Sequence, residues 1–216
     1  MPDYDPSDCD ESRVYPDVRS VVFTASSWRL YWALRLGVNH HTKITFDRDR
    51  IEVERSENPP GRSTDIALLR SLIDFHALET GTKIHGSGGI TLAHEPIAGG
   101  CEPDGSWYVR AEPPPPGTEQ IDLIRHNAPD LVIEVDLSRW RVDKEPVYFR
   151  LGVAEVWRWE NQRLQVRALG DDGYVDADAS ELLPGLPIDA LGDCMRSART
   201  TPQHEVVKRW RDQVNG

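Results

Sequence analysis

Three residues in the middle of the chain, Asp104, Glu134 and Lys144, are of the types that metal-dependent phosphodiester hydrolysis requires. Glu134 interrupts the apolar, β-branched run of residues 131–137, and an ionised side chain in a strand must stay hydrated, find a partner or hold a cation. Asp104 precedes another predicted strand, and Lys144 follows the Glu134 strand by one loop. If the fold brings the three together, two carboxylates can bind a divalent cation beside an ammonium group.

Each of these residues also has an ordinary structural explanation. Acidic residues are common on the solvent-exposed face of antiparallel strands, aspartate is common in turns, and most lysines are exposed. In the Glu134 strand, the period of two places Leu131 and Ile133 on one face and Glu134 and Asp136 on the other. Asp136 could therefore be a further ligand, or it could pair with Lys144 or an arginine.

The elements that must position these residues follow from hydrophobic periodicity and from helix and turn signals. They are a helix over 28–36, a hairpin of 43–46 and 51–54, a helix that Ser63 or Thr64 caps and Gly81 closes, strands over 83–92, 106–109 and 131–137, a short helix over 142–151, strands over 155–159 and 164–169, and a helix over 202–214. A mixed α+β sheet flanked by helices would bury these elements.

Other kinds of site lack support in the sequence. No GxSxG motif is present, and no serine or cysteine is tied to a histidine by a local signature. The histidines lack zinc-site spacing. The glycines at 86, 88 and 89 do not form a phosphate loop, because the GxxxxGK[ST] order is absent, and they indicate a bulge or a close backbone approach instead. The four prolines at 113–116 indicate a stiff loop or, less often, a partner-recruiting segment.

Net charge limits how the chain could bind nucleic acid. A formal charge of −11 over 216 residues argues against indiscriminate coating of a polyanion. Residues 1–20, with six acids and two arginines, are predicted to be a flexible tail, and residues 21–216 a single domain. Residues 139–167 reverse the balance, with seven basic and four acidic side chains. This segment is either a phosphate track or a solvated charged face.

The sequence also predicts a cellular setting. No apolar run approaches the roughly 20 residues that a membrane-spanning helix needs, and the acidic N-terminal segment does not resemble a secretory signal. We therefore expect a cytoplasmic protein. The three cysteines are widely separated and lack CxxC spacing, so reduced thiols are expected.

The motifs in combination resemble the Uma-type putative restriction endonuclease family, which belongs to the PD-(D/E)xK nuclease superfamily. The matching segments are Glu102-Pro103-Asp104 before Ser106-Trp107-Tyr108-Val109, then Pro129-Asp130-Leu131-Val132-Ile133-Glu134-Val135-Asp136, then Asp143-Lys144-x-x-x-Tyr148, and Leu151-Gly152-Val153-Ala154-Glu155-Val156-Trp157-Arg158. Weaker similarity covers most of the chain after about residue 28. Any one of these pieces alone would be weak.

The resemblance implies a restriction-endonuclease-like αβββαβ core, here with an added N-terminal helix and hairpin. It implies that Asp104 and Glu134 are the two acids that hold Mg²⁺ or Mn²⁺, and that the lysine lies on the following helix, as Lys144 four residues before Tyr148. The sequence departs from the superfamily pattern at Asp136, where a lysine is usual. A further acid on the early elements is also implied, and the candidates are Glu52, Glu54 and Asp65.

The function implied is that of a magnesium-dependent endonuclease that hydrolyses DNA phosphodiester bonds. The alternative is a catalytically inactive nuclease-fold protein that acts in DNA binding or assembly, which the net charge and Asp136 favour. A hydrolase of another phosphoester is a third reading. A homodimer would suit cleavage of both strands of a duplex, and the tryptophans at 157, 159 and 210 belong either to the core or to a dimer surface.

Overall fold

The computed structural model of the chain describes residues 20–38, 42–55, 60–118, 121–136 and 142–215. The acidic segment at 1–20 lies outside these ranges except for Ser20, so the flexible tail and the boundary of the domain stay predictions. Within the part of the chain described, no helix is both long and apolar enough to span a bilayer. Cys101 and Cys194 are free and buried, as expected of reduced thiols, and Cys9 lies outside the described residues.

The described residues form five α-helices and eleven strands. The helices are α1 (Trp28–Gly37), α2 (Pro60–Thr80), α3 (Glu145–Leu151), α4 (Ile188–Ser197) and α5 (Gln203–Val214). The strands are β1 (Ser20–Phe23), β2 (Thr42–Asp47), β3 (Arg50–Arg55), β4 (His85–Gly86), β5 (Leu92–His94), β6 (Gly99–Cys101), β7 (Gly105–Tyr108), β8 (Leu131–Asp136), β9 (Glu155–Glu160), β10 (Arg163–Leu169) and β11 (Tyr174–Ala177).

The strands form two sheets, so the mixed α+β class expected from the sequence is confirmed. One sheet has the order β1-β3-β2-β6-β5, and the other has the order β11-β10-β9-β8-β7-β4. In the second sheet, β4, β7 and β8 pair antiparallel, and β9 lies parallel to β8 after the crossover through α3. With α2 in front, this is the expected αβββαβ core, and α1 and the β2–β3 hairpin are the expected additions.

The predicted strand over 83–92 was wrong as a single element. Residues 85–86 pair with β7 in one sheet, whereas β5 begins at Leu92 and pairs with β6 in the other. The glycines explain the break. Gly88 has a φ of +73°, and a Cβ on Gly89 would lie 2.9 Å from the Pro103 carbonyl oxygen. The expected close backbone approach is therefore present, and it lies against the turn that carries Asp104.

Two helices begin at different residues from those predicted. Helix α2 begins at Pro60 rather than beside Ser63 or Thr64, because proline is tolerated in the first turn, where its missing N–H needs no partner. Helix α3 begins at Glu145 rather than Val142, with Lys144 as its N-cap residue. The helix therefore starts immediately after the predicted catalytic lysine.

The main core lies on one face of the six-stranded sheet, under α2, α4 and α5. The odd-numbered residues of β8 pack there, as the period of two predicted. Trp157, Trp159 and Trp210 are buried in the same core, so these tryptophans do not form an exposed dimer surface. On the other face, Val132 packs with Tyr148 of α3, and Glu134 follows Val132 on that side of the strand.

The smaller sheet packs its apolar face against α1. Ile44, Phe46 and Ile51 form a cluster with Tyr31, and the rings of Tyr31 and Phe46 stack at 5.4 Å. The Tyr31 ring lies directly over Gly100 of β6, where a Cβ would come within 2.5 Å of the Tyr31 hydroxyl oxygen. Strand β6 therefore depends on a glycine at this position.

We expect Gly100→Ala to lower the free energy of unfolding by about 1–3 kcal/mol, because the new methyl group overpacks against a buried ring. Urea denaturation followed by tryptophan fluorescence measures this change. The matched control is Gly37→Ala, whose Cβ would meet no atom within 4 Å. We expect a change of about 0.5 kcal/mol or less for the control. Equal stability of the two variants would contradict the packing of Tyr31 on β6.

Candidate functional site

Asp104 is held against the strand that carries Glu134. It immediately precedes β7, whose Gly105 pairs with Ile133 of β8. The Asp104 backbone N–H donates to the Ile133 carbonyl oxygen at 3.0 Å, and its side-chain Oδ2 accepts from the Val135 N–H at 2.8 Å. These bonds flank Glu134 on both sides along the chain. The turn of Glu102-Pro103-Asp104 thus brings the first predicted acid to the strand of the second.

Two cations bond the Asp104 carboxylate. Arg62, in the first turn of α2, donates through Nη2 to Oδ1 at 2.9 Å and to Oδ2 at 2.8 Å. Lys43, on β2, donates to Oδ1 at 2.5 Å. Burial raises the pKa of the Asp104 carboxyl, but the nearby charges of Lys43, Arg62 and Lys144 outweigh it and hold the pKa below its usual value. Asp104 is therefore an ionised carboxylate in a buried position.

Glu134 is fully buried and has two partners from the start of α3. Lys144 Nζ lies 2.9 Å from Oε2, and the Tyr148 hydroxyl donates to Oε1. Residues four apart lie on the same face of a helix, which explains how the Lys144-x-x-x-Tyr148 spacing brings both side chains to one carboxylate. The helix thus supplies one charged and one neutral donor to Glu134.

Lys144 links the two acids. It bonds Glu134 directly, and its charge is also among those that lower the pKa of Asp104. Its side chain is almost completely buried. The structure therefore brings Asp104, Glu134 and Lys144 into one cluster, although these residues are up to forty positions apart in sequence.

Tyr148 acts as a neutral donor at this site. Burial and the neighbouring Cys101 and Glu134 raise the pKa of its hydroxyl well above the usual value. Burial likewise raises the pKa of the Cys101 thiol to about 12. Neither group ionises near neutral pH, so Tyr148 keeps its proton on the bond to Glu134 and fixes the orientation of the carboxylate.

The remaining candidate acids lie in different environments. Glu52 is buried and accepts from the Val142 N–H at 2.9 Å, which ties the hairpin to the segment leading to Lys144. Asp65 faces elsewhere, since its Oδ2 bonds Arg199 and Trp159. Glu54 is half-buried on the same strand as Glu52. The side chain of Asp136 lies outside what the structure describes, and its backbone pairs with Glu160.

The sequence did not single out Lys43 and Arg62. A signal was present for Lys43, because the predicted hairpin alternates apolar and polar residues, which places Lys43 on its polar face. In the structure, Thr45 and Glu52 on that face are buried, so it forms a wall of the cluster. Arg62 gave no local signal, because it lies just before the predicted helix cap at Ser63 or Thr64 and belongs to no periodic pattern.

Asp130 in the matching Pro129-Asp130 motif has a structural role. Its Oδ2 accepts from the backbone N–H groups of Val109, Arg110 and Ala111 at 2.7–2.9 Å. One carboxylate oxygen thus satisfies three amides where the chain leaves β7. This contact holds the C-terminal end of β7 beside the start of β8, and Asp104 immediately precedes the other end of β7.

Three arginines of the basic segment pair with neighbouring acids. Arg150 bonds Asp47 at 2.6 Å, and Arg158 and Arg167 both pair with Glu145. Such pairing favours the solvated-face interpretation over a phosphate track for these residues. Arg139 and Arg141 of that segment lie outside the described residues.

The donor chemistry of the cluster suits a hard divalent cation. Asp104 and Glu134 supply carboxylates, and Mg²⁺ is commonly held by one or two carboxylates while it keeps several waters. Among the residues described, no group of three or more His, Cys, Asp or Glu residues is arranged to hold a metal ion. A metal ion at Asp104 and Glu134 would compete with the ammonium and guanidinium groups that bond these carboxylates.

Comparisons with known proteins agree with this fold. A family model described as "Uma2: Putative restriction endonuclease" matches residues 28–194. The chain is also similar to the crystal structure of a putative nuclease belonging to DUF820 from Anabaena variabilis, with a TM-score of 0.53 and 16% identity, covering 76% of this chain and 96% of that one. At this identity the likeness shows the fold alone. No curated protein matches the chain.

Proposed function

Because the chain belongs to the Uma2 restriction endonuclease family, we propose that it is a metal-dependent endonuclease that hydrolyses DNA phosphodiester bonds. The family supports a nuclease function in general terms. Beyond this general function, we propose a DNA substrate, a metal requirement and roles for individual residues.

The observation that carries the proposal is the pair of interactions that Lys144 makes with the two acids. This buried ammonium bonds Glu134 at 2.9 Å and acts electrostatically on Asp104, so two acids and one amine share a site. Buried charges are expensive unless they are compensated, and a protein seldom assembles three of them for stability alone. Metal-dependent hydrolysis gives a reason for their presence.

Each residue has a distinct role in this proposal. Asp104 and Glu134 would hold Mg²⁺ or Mn²⁺, which when bound polarises the phosphate and acidifies a water. Lys144 orients the attacking water or offsets negative charge on the phosphorane. Tyr148 holds Glu134 in place through its hydroxyl, and Arg62 holds Asp104 through both carboxylate oxygens. Asp136 as a further ligand remains a hypothesis.

One observation favours the alternative of an inactive nuclease-fold protein. Asp104 already has two cationic partners and a backbone donor, so its charge is compensated without a metal. A permanent arrangement of this kind would exclude the divalent ion. DNA binding without cleavage in Mg²⁺ would support the alternative.

The test of the proposed function is a plasmid-nicking assay in Mg²⁺, Mn²⁺ or EDTA. We expect supercoiled plasmid to be nicked or linearised with either metal, and cleavage to stop in EDTA, because the proposal assigns activation of the attacking water to the bound metal. Restoring Mg²⁺ after EDTA treatment should restore cleavage. Equal cleavage in EDTA would contradict metal dependence, and DNA retention without cleavage in all three conditions would favour the inactive alternative.

The homodimer and the cytoplasmic location stay predictions.

A further inference from the structure

The two cations on Asp104 are attached to the protein in different ways. Arg62 also donates through Nε to the Val135 carbonyl oxygen at 2.7 Å, so strand β8 fixes its guanidinium in addition to Asp104. Lys43 has one short bond to Asp104 and a second contact of 3.3 Å to the Glu102 carbonyl oxygen, which is longer than a normal N–H···O bond. Because its stem is also flexible, Lys43 can change partner at lower cost than Arg62.

Lys43 is the most exposed of the three cations bonded to the two acids. Its side chain is 15% exposed, whereas that of Asp104 is 2% exposed. Arg62, the other cation on Asp104, is 10% exposed, and Lys144, on the other acid, is 4% exposed. An anion that approaches Asp104 from solvent would therefore meet the Lys43 ammonium before the carboxylate.

The charges of the cluster leave no room for a further cation. Lys43, Arg62 and Lys144 contribute three positive charges against the two negative charges of the carboxylates that they bond, Asp104 and Glu134. The buried Glu52 on the hairpin wall adds a third formal negative charge, so the cluster is already neutral overall. A divalent ion would raise the net charge to +2 in a poorly solvated site, which is unfavourable unless a cation leaves or an anion enters. A phosphodiester that draws the Lys43 ammonium away from Asp104 satisfies both conditions.

We propose that Lys43 is a phosphate-binding residue that bonds Asp104 in the metal-free protein and exchanges this carboxylate for a DNA phosphate when a divalent ion binds. The inference rests on the proposed function. It makes metal binding and DNA binding mutually reinforcing, because each removes a charge conflict that the other creates.

The first test measures Mn²⁺ affinity of the DNA-free protein by titration, with free Mn²⁺ followed by electron paramagnetic resonance. We expect Lys43→Gln to bind Mn²⁺ on the order of 10-fold more tightly than the parent, since a charge-assisted bond no longer competes for the Asp104 oxygen. The amide keeps a donor near Asp104, and thermal unfolding checks that the variant is folded. The matched control is Lys208→Gln on α5, an exposed position that removes the same charge.

The outcomes separate the two proposals. Unchanged or weaker Mn²⁺ binding by folded Lys43→Gln would overturn the exchange and leave the nuclease proposal standing. An equal gain in the Lys208→Gln control would also overturn it, because the effect would then be one of net charge. No Mn²⁺ binding by the parent and both variants would overturn the metal-dependent function and the exchange together.

The second test identifies the phosphate source with a phosphorothioate-substituted duplex that resists cleavage. We expect Lys43→Gln to weaken duplex binding on the order of 10-fold in Mn²⁺ and to change it little in EDTA, where Lys43 bonds Asp104 instead. Losses of equal size in both conditions would mean that Lys43 contacts DNA regardless of metal and would overturn the exchange. The absence of any effect in Mn²⁺ would remove DNA as the anion that Lys43 binds.

Discussion

Substitution of Glu134 by glutamine is expected to lower the rate of metal-dependent DNA cleavage by roughly 10³-fold or more. Glutamine has nearly the same shape. Its amide oxygen can accept from Lys144 while its NH2 group donates to the Tyr148 hydroxyl, but the carboxylate that would bind the metal is lost. Single-turnover cleavage of supercoiled plasmid in Mg²⁺ measures the effect. We also expect a loss of stability of about 1–3 kcal/mol, because the bond from Lys144 to an amide oxygen is weaker than its bond to a carboxylate.

The matched control for this variant is Glu155→Gln. Glu155 is also buried on the central sheet, but its oxygens bond Trp157, Ser180 and the backbone N–H groups of residues 181 and 182. We expect this variant to lose a similar amount of stability and to cleave DNA at close to the parental rate per folded molecule. If the two variants lost activity equally, Glu134 would have a structural role and the site assignment would be wrong.

The parts of the site that the sequence predicted are those with local patterns. The apolar run of β8 has a period of two, so the face opposite its core residues, and Glu134 on it, could be identified before the structure. The four-residue spacing of Lys144 and Tyr148 fixes them on one helical face. Such short-range geometry survives in any fold that contains the strand and the helix, which is why these residues meet as expected.

The parts that the sequence did not predict depend on long-range contacts. Lys43 and Arg62 reach Asp104 across 61 and 42 positions of sequence, and no periodicity encodes that approach. The short strands could not be predicted for another reason. Strand β6 is only Gly99–Cys101, with no alternation to read, and it exists because β2 and β5 flank it. The five-stranded sheet was therefore not predicted, and neither was its contribution to the site.

The alternation on the β2–β3 hairpin predicted the two strands but not the environment of their polar face. A half-exposed antiparallel pair is the usual source of such a pattern. Thr45 and Glu52 on that face are nevertheless buried, and Glu52 accepts from the backbone N–H of Val142, in the segment that leads to Lys144. A polar face is thus compatible with a site wall as well as with solvent, and only the tertiary arrangement distinguishes them.

Lys144→Met should lower the cleavage rate on the order of 10²- to 10³-fold, because the ammonium that would stabilise the developing phosphorane charge is removed. Methionine fills much of the same buried space. The variant nevertheless leaves Glu134 without its cation, and breaking a buried ion pair costs about 3–5 kcal/mol of stability. Cleavage is measured as single-turnover rate, and stability by urea denaturation at the same temperature.

The double variant Glu134→Gln/Lys144→Met separates catalysis from folding. It removes both buried charges, so we expect it to regain most of the stability that Lys144→Met loses, since replacing both members of a buried pair is often close to neutral. Its cleavage rate should stay at least as low as that of either single variant, because residues that act as one unit are not additive. Recovery of cleavage along with stability would mean that the ion pair between β8 and α3 supports only the fold, and the catalytic role of Lys144 would have to be abandoned.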